Sequence, residues 1–235
     1  MSHEISRYEG VLQLPRIEYE EVLEIAPAEG NVRNSEGAFL TLQDGKILFA
    51  WTRYVVDDAL DSSPSEIYAV LSGDNGMSWG KPLRFLGHDT DETPNLMCPN
   101  LILMNSGSIG LLYFRRSSAV KAQLCFRTTT DLGRTWSSGQ VISRASGYDV
   151  VNNDRVVRLS SGRLIIPHAY HPSIEGKTAV DYRSAMAFYF SDDDGASWSK
   201  TDDYWLDVPH TSTGLQEPGV IELGDGRLYA WARTD

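Results

Sequence analysis

The sequence predicts an all-β fold, a β-propeller built from four-stranded blades. Three observations carry that prediction: a turn motif, SxDxGxxW, recurs along the chain; an apolar hairpin closed on a glycine recurs between its copies; and no segment longer than about 10 residues keeps a helical period without a Gly, Pro or β-branched interruption. Blades of this kind arranged about a channel give many short strands and almost no helix.

The first hairpin is Ala38-Phe-Leu-Thr-Leu-Gln-Asp44-Gly45-Lys-Ile-Leu-Phe-Ala-Trp51. Its turn needs a glycine, because Asp-Gly and Ser-Gly hairpin turns demand a positive φ. Later copies turn at Ser106-Gly107, Ser161-Gly162 and Asp225-Gly226, so one unit spans roughly 60 residues. The turn motif follows as Ser72-Gly-Asp74-Asn-Gly76-Met-Ser-Trp79, Thr129-Thr-Asp131-Leu-Gly133-Arg-Thr-Trp136 and Ser191-Asp-Asp193-Asp-Gly195-Ala-Ser-Trp198. Each unit therefore reads as strand A, glycine turn, strand B, loop, strand C, SxDxGxxW turn, strand D. Asp74, Asp131 and Asp193 are expected to be structural: the carboxylate and the Ser or Thr hydroxyl accept turn amides, and the Trp covers the sheet edge. The fourth unit stops after its hairpin, at Arg233-Thr-Asp235, so the expectation is a single domain over residues 1–235, truncated within its fourth blade. Residues Tyr8 to Ile25 read as short strands that complete a last blade whose partner strands would lie beyond residue 235.

The net charge of -11 argues against a nucleic-acid partner, which draws on surplus Lys and Arg to neutralise phosphates. The first 25 residues scatter Glu and Arg among apolar positions, and no run approaches the roughly 20 apolar residues of a spanning helix. A soluble, cytoplasmic protein with no membrane partner is expected. Cys98 and Cys125 are expected to be reduced core residues, because so few thiols make no disulfide scaffold.

In an antiparallel blade the start of A, the end of B and the B–C loop share one end, and the two tight turns share the other. The first end is where chemistry is to be sought. In the first blade it holds Arg33, Glu36, Arg53, Asp57, Asp58 and Asp61; in the fourth it holds Glu217 and Arg233. Glu36 and Glu217 each stand nine residues before their turn glycine, where the middle blades have Cys98 and Asn153. A carboxylate is thus not required there by the fold. Arginines and carboxylates converging at one end of a channel suit recognition of a carboxylated sugar and acid–base work on its glycosidic bond, or else form a salt-bridge network. Asn153, Asp154, Arg155, His168 and His171 are expected at the same end as pocket-wall residues. No metal is expected from the two histidines, since residues three apart on a strand face opposite ways.

These motifs resemble the sialidase superfamily, whose SxDxGxxW turns are called Asp-boxes and whose propeller has six blades, of which this chain would hold about four. The segment from Glu217-Pro-Gly to Ala-Trp-Ala-Arg233 is similar to the sialidase stretch in which a Glu precedes a blade and an Arg ends its second strand. The resemblance implies an exo-sialidase-like glycosidase acting on terminal sialic acids, without cofactor or metal, with carbohydrate as partner. It implies Glu217 as the base for a nucleophilic Tyr, Asp58 or Asp61 as the acid on the leaving group, Arg33 and Arg233 as two of the three arginines that clamp the substrate carboxylate, and Arg53, at the end of the second strand of the first blade, as a further substrate-binding residue. The Tyr and a third clamp arginine are expected beyond residue 235. One departure is Val32-Arg33-Asn34-Ser35-Glu36 in place of the family's Arg-Ile-Pro motif, which brings Glu36 to the clamp. The alternatives are a same-fold glycosidase for another terminal sugar and a non-catalytic glycan- or protein-binding propeller.

Overall fold

A computed structural model of the chain describes residues 20–56, 60–91, 93–118, 120–143, 147–175, 177–206 and 210–235. The first blade consists of β1 (Asn34–Thr41), β2 (Ile47–Tyr54), β3 (Ser65–Ser72) and β4 (Leu83–Leu86), each antiparallel to the next, followed by a single helical turn, α1 (His88–Asp91). The second consists of β5 (Asn95–Leu103), β6 (Ile109–Ser118), β7 (Lys121–Thr129) and β8 (Gln140–Val141). In the third, strand A is broken into β9 (Gly147–Val150) and β10 (Val157–Arg158), both paired with β11 (Leu164–Pro172); β12 (Ala185–Ser191) and β13 (Ser199–Lys200) complete it. β14 (Gln216–Glu222) and β15 (Leu228–Arg233) form the last hairpin. Of the short strands expected before the first blade, residues up to 19 lie outside the described residues, and residues 20–25 carry no strand.

The three Asp-boxes repeat one hydrogen-bond pattern. In the first, Ser72 Oγ donates to Asp74 Oδ1 (2.8 Å) and accepts the Gly76 amide (2.8 Å), while Asp74 accepts the Ser78 amide (2.8 Å) and hydroxyl (2.6 Å). Thr129, Asp131 and Thr135, and Ser191, Asp193 and Ser197, repeat it. These bonds hold all three carboxyls below the usual range, Asp131 and Asp193 at about 2. Their oxygens are used by the turn itself, as the structural expectation requires. The Trp does more than cover an edge. Trp136 packs edge-on against Phe85 of the preceding blade (4.9 Å between ring centres) and donates to its carbonyl (2.9 Å), and Trp198 packs likewise on Phe126.

The core accordingly lies between blades. One cluster joins β1–β4 to β5–β7 through Leu48, Phe85, Leu96, Leu111 and Tyr113; a second joins the second and third blades through Leu112, Leu124, Leu164 and Ile166. At the opposite end from the Asp-boxes, a single parallel residue pair stitches each blade to the next: Ser65 with Asn95, Ala122 with Tyr148, and Ser184 with Gly214. Cys98 and Cys125 are buried and unbridged.

Candidate functional site

Among the described residues, seven other than glycine have positive φ. Three, Asn75, Leu132 and Asp194, sit in the Asp-boxes. The other four, Glu36 (34°), Cys98 (54°), Asp154 (53°) and Glu217 (48°), occupy one corresponding place in each unit, where strand A enters the channel end of its blade. At three of these places the ladder to strand B is bulged: between Ser35 and Gly37, Met97 and Asn100, and Gln216 and Gly219. Pro99 and Pro218 follow two of the bulged residues, where a missing N–H breaks no regular pairing. A non-glycine residue in this region costs on the order of 1–3 kcal/mol, and such strain gathers at functional sites. In the third unit the break between β9 and β10 shifts the matching residue from Asn153, the expected one, to Asp154.

Three of these four side chains, Glu36, Cys98 and Glu217, line a cavity of about 320 Å³ together with Asp61, Arg116, Tyr148 and His171. Arg33 reaches its rim by pairing with Asp61 (2.5 Å) and, more loosely, Glu36 (3.7 Å), its guanidinium 4.7 Å from the centre of the Tyr54 ring. Burial, with the Glu36 charge beside it, pushes the Tyr54 hydroxyl up to about 12. On the opposite wall Arg233 donates to Glu217 Oε1 (3.0 Å). The bulge makes that contact: Arg233 is register partner to Gln216, and the residue inserted after Gln216 is Glu217. Around the cavity, three carboxylates (Glu36, Asp61, Glu217) thus meet three guanidiniums (Arg33, Arg116, Arg233). This combination can bind an anion and move protons at adjacent atoms.

Other expected residues lie elsewhere. Arg53 stacks on the Tyr68 ring (4.6 Å), does not line this cavity, and leaves its buried Nε without a hydrogen-bond partner. His168 is fully buried, stacked on Tyr189 and 2.7 Å from Asp149, so it belongs to the core of the third blade and not to the pocket wall. The strand alternation that hides His168 delivers His171 to the cavity. Asn153 is a latch, donating across the channel to the Gly37 carbonyl (2.6 Å). Asp154 and Arg155 do not line the cavity. Asp57 and Asp58 lie outside the described residues. Arg116, Tyr148 and Cys98 are among the wall residues that the sequence reading left out as site residues. Arg116 carried a usable signal, since it lies within the last three residues of strand B of its blade, as Arg53 and Arg233 do in theirs. Among the described residues no group of three His, Cys, Asp or Glu side chains is placed to hold a metal, and no helix is long and apolar enough to cross a membrane.

The fold of this chain recurs in solved structures. A Hadza microbial sialidase, Hz136, superposes with a TM-score of 0.69 over 88% of this chain and 43% of its own, at 16% identity. This chain forms part of a sialidase-like propeller. A leech intramolecular trans-sialidase in complex with 2,7-anhydro-Neu5Ac matches that propeller over 93% of this chain and 50% of its own (TM-score 0.68, 14% identity). The Penicillium chrysogenum alpha-L-arabinanase, complexed with arabinobiose, matches over 85% and 59% (TM-score 0.61, 17% identity). The chain therefore spans about half the length of these glycosidases, and at such identities the likeness is one of fold. No protein-family model matches the sequence, and no curated protein is similar to it.

Proposed function

We propose that this sialidase-like propeller belongs to a glycoside hydrolase resembling exo-α-sialidases, which cleaves terminal sialic acid from glycoconjugates. The observation that supports it most is the Glu217–Arg233 pair, held at 3.0 Å by the bulge in β14 on a cavity wall shared with Asp61. In this reading Arg33 and Arg233 attract the sugar carboxylate. Glu217 takes the proton of a tyrosine supplied outside residues 20–235, whose oxygen attacks the anomeric carbon. Asp61, with Asp58 as the other candidate, gives its proton to the departing glycosidic oxygen, and water then reverses the sequence. A neutral nucleophile suits a substrate whose own carboxylate would repel an anionic one.

A second reading, a glycosidase for an uncharged terminal sugar, is favoured by one contact set: Arg33 is already neutralised by Asp61 and Glu36. A fluorogenic sialoside and a panel of uncharged aryl glycosides, given to the full-length protein and to Arg233→Ala, separate the two. Sialoside turnover that falls on the order of 100-fold in the variant supports the first reading. Turnover of an uncharged glycoside alone supports the second, and a folded full-length protein that cleaves neither rejects both.

A further inference from the structure

At the Asp-box end, away from the candidate site, the A–B turn of each blade carries an amide that its own blade does not bond. It belongs to the residue two before the turn glycine: Gln43, Asn105 and Ser160 in the first three blades. In two of these three the next blade supplies a carboxylate. Asn105 donates to Asp194 Oδ2 (2.9 Å), and Arg158 holds the other oxygen of that carboxylate (2.7 Å). Ser160 donates its amide to Glu222 Oε2 (2.6 Å) and its hydroxyl to Oε1 (2.7 Å). The Gln43 amide has no such partner among the described residues.

The cause lies in the second blade. Where the third blade has Arg158, four residues before its turn glycine, and Asp194, fourth in its Asp-box, the second blade has Leu103 and Leu132. Both leucines, with Gln43, Leu42, Leu71 and Ile109, line a cavity of about 280 Å³ between the first two blades. Leu132 holds its place against its own backbone preference. Its φ is +59°, a region that Asn and Asp enter several-fold more readily, and the corresponding Asn75 and Asp194 are residues of those two kinds. Leucine at this position thus adds strain and leaves an amide unbonded, and such strain gathers at sites of function. Lys46 and Asp44, also on the cavity wall, pair with each other (2.6 Å), so the wall carries no net charge and the amide remains its polar feature.

We infer that this junction is a binding site for a small monocarboxylate with a hydrocarbon body, of the alkanoate class. Its carboxylate accepts the Gln43 amide as the Asp194 and Glu222 carboxylates accept theirs, and its tail lies on Leu103 and Leu132. A charge-assisted bond of this kind separates an acid from the matching alcohol. The aliphatic lining would leave the hydroxyls of a sugar ring unpaired, which selects against a second saccharide. The site stands at the opposite end of the propeller from the candidate active site and does not depend on the glycosidase reading.

Calorimetric titration of the full-length protein with hexanoate and with hexanol tests this, in the wild type and three variants. Gln43 is the second residue of a turn closed by the Gly45 amide on the Leu42 carbonyl (3.0 Å), a place that suits proline. Gln43→Pro therefore removes the N–H and keeps the turn, whereas Gln43→Ala keeps the N–H and removes the side chain. Leu132→Asp gives the second blade the internal carboxylate of the third. The expected result is hexanoate bound about tenfold more tightly than hexanol, unchanged in Gln43→Ala and weakened about tenfold in both Gln43→Pro and Leu132→Asp. Equal affinity for acid and alcohol, or no binding of either up to about 10 mM, overturns the inference. So does hexanoate affinity that survives in folded Gln43→Pro or Leu132→Asp, or that falls as far in Gln43→Ala as in Gln43→Pro. Unfolding midpoints report which variants are folded, and if Gln43→Pro or Leu132→Asp is not, the other decides.

Discussion

The two ends of this propeller solve opposite problems with the same backbone device, a residue at positive φ in a tight turn or bulge. At the Asp-box end the device is repeated almost without change: three hydroxyls and three aspartates make the same bonds, and a tryptophan closes each turn. At the channel end the backbone repeats, but the side chain it holds differs in every unit: Glu36, Cys98, Asp154 and Glu217. Where the fold needs a residue, that residue recurs. Where the backbone recurs and the side chain does not, the side chain serves something other than the fold.

The sharpest way to break this comparison is at Gly133. Its φ is +82°, and a Cβ there would sit 2.9 Å from the Phe85 carbonyl oxygen of the preceding blade. Gly133→Val is expected to cost about 4 kcal/mol in denaturant unfolding, combining left-handed strain with overpacking at a blade junction. Next in size is a contrast within the Asp-boxes. Trp136 wedges between two blades, whereas Trp79 packs on Phe39 and Phe49 of its own blade. Trp136→Ala should cost about 3 kcal/mol and Trp79→Ala about 1 kcal/mol; equal losses would mean that the wedge adds nothing.

Acid titration gives the smallest effect. Because the folded-state pKa values of Asp131 and Asp193 are lowered to about 2, their contribution is present above the ordinary carboxylate value and is lost as pH falls through about 2. The unfolding midpoint should therefore decline between about pH 4 and pH 2, and less steeply when Asp131 is replaced by Asn. A midpoint that rose with acid would contradict the hydrogen-bond pattern.

The fold was legible because its signals are local. Ser72, Asp74, Gly76 and Trp79 specify a turn within eight residues, and Gly45 specifies a hairpin within a few more. The channel end was legible from topology, and Glu36 and Glu217 from their common distance to a turn glycine. What escaped depends on how blades pack. Arg116, Tyr148 and His171 come from three strands in two blades, and only the tilt between those blades brings them to one wall. The misplacement of Asn153 has a local cause, the break in strand A of the third blade. His168 and His171 were assigned together, yet their positions on β11 send one into the core against Asp149 and the other to the cavity.

The measurement that bears most directly on the division between the two ends is a paired one, glycoside turnover and thermal midpoint for Glu217→Gln beside Asp131→Asn in the full-length protein. The account predicts that Glu217→Gln loses turnover on the order of 100-fold or more with its midpoint held, while Asp131→Asn lowers the midpoint and keeps its turnover below it. Turnover that survives in Glu217→Gln, or a loss of turnover in folded Asp131→Asn, would contradict it.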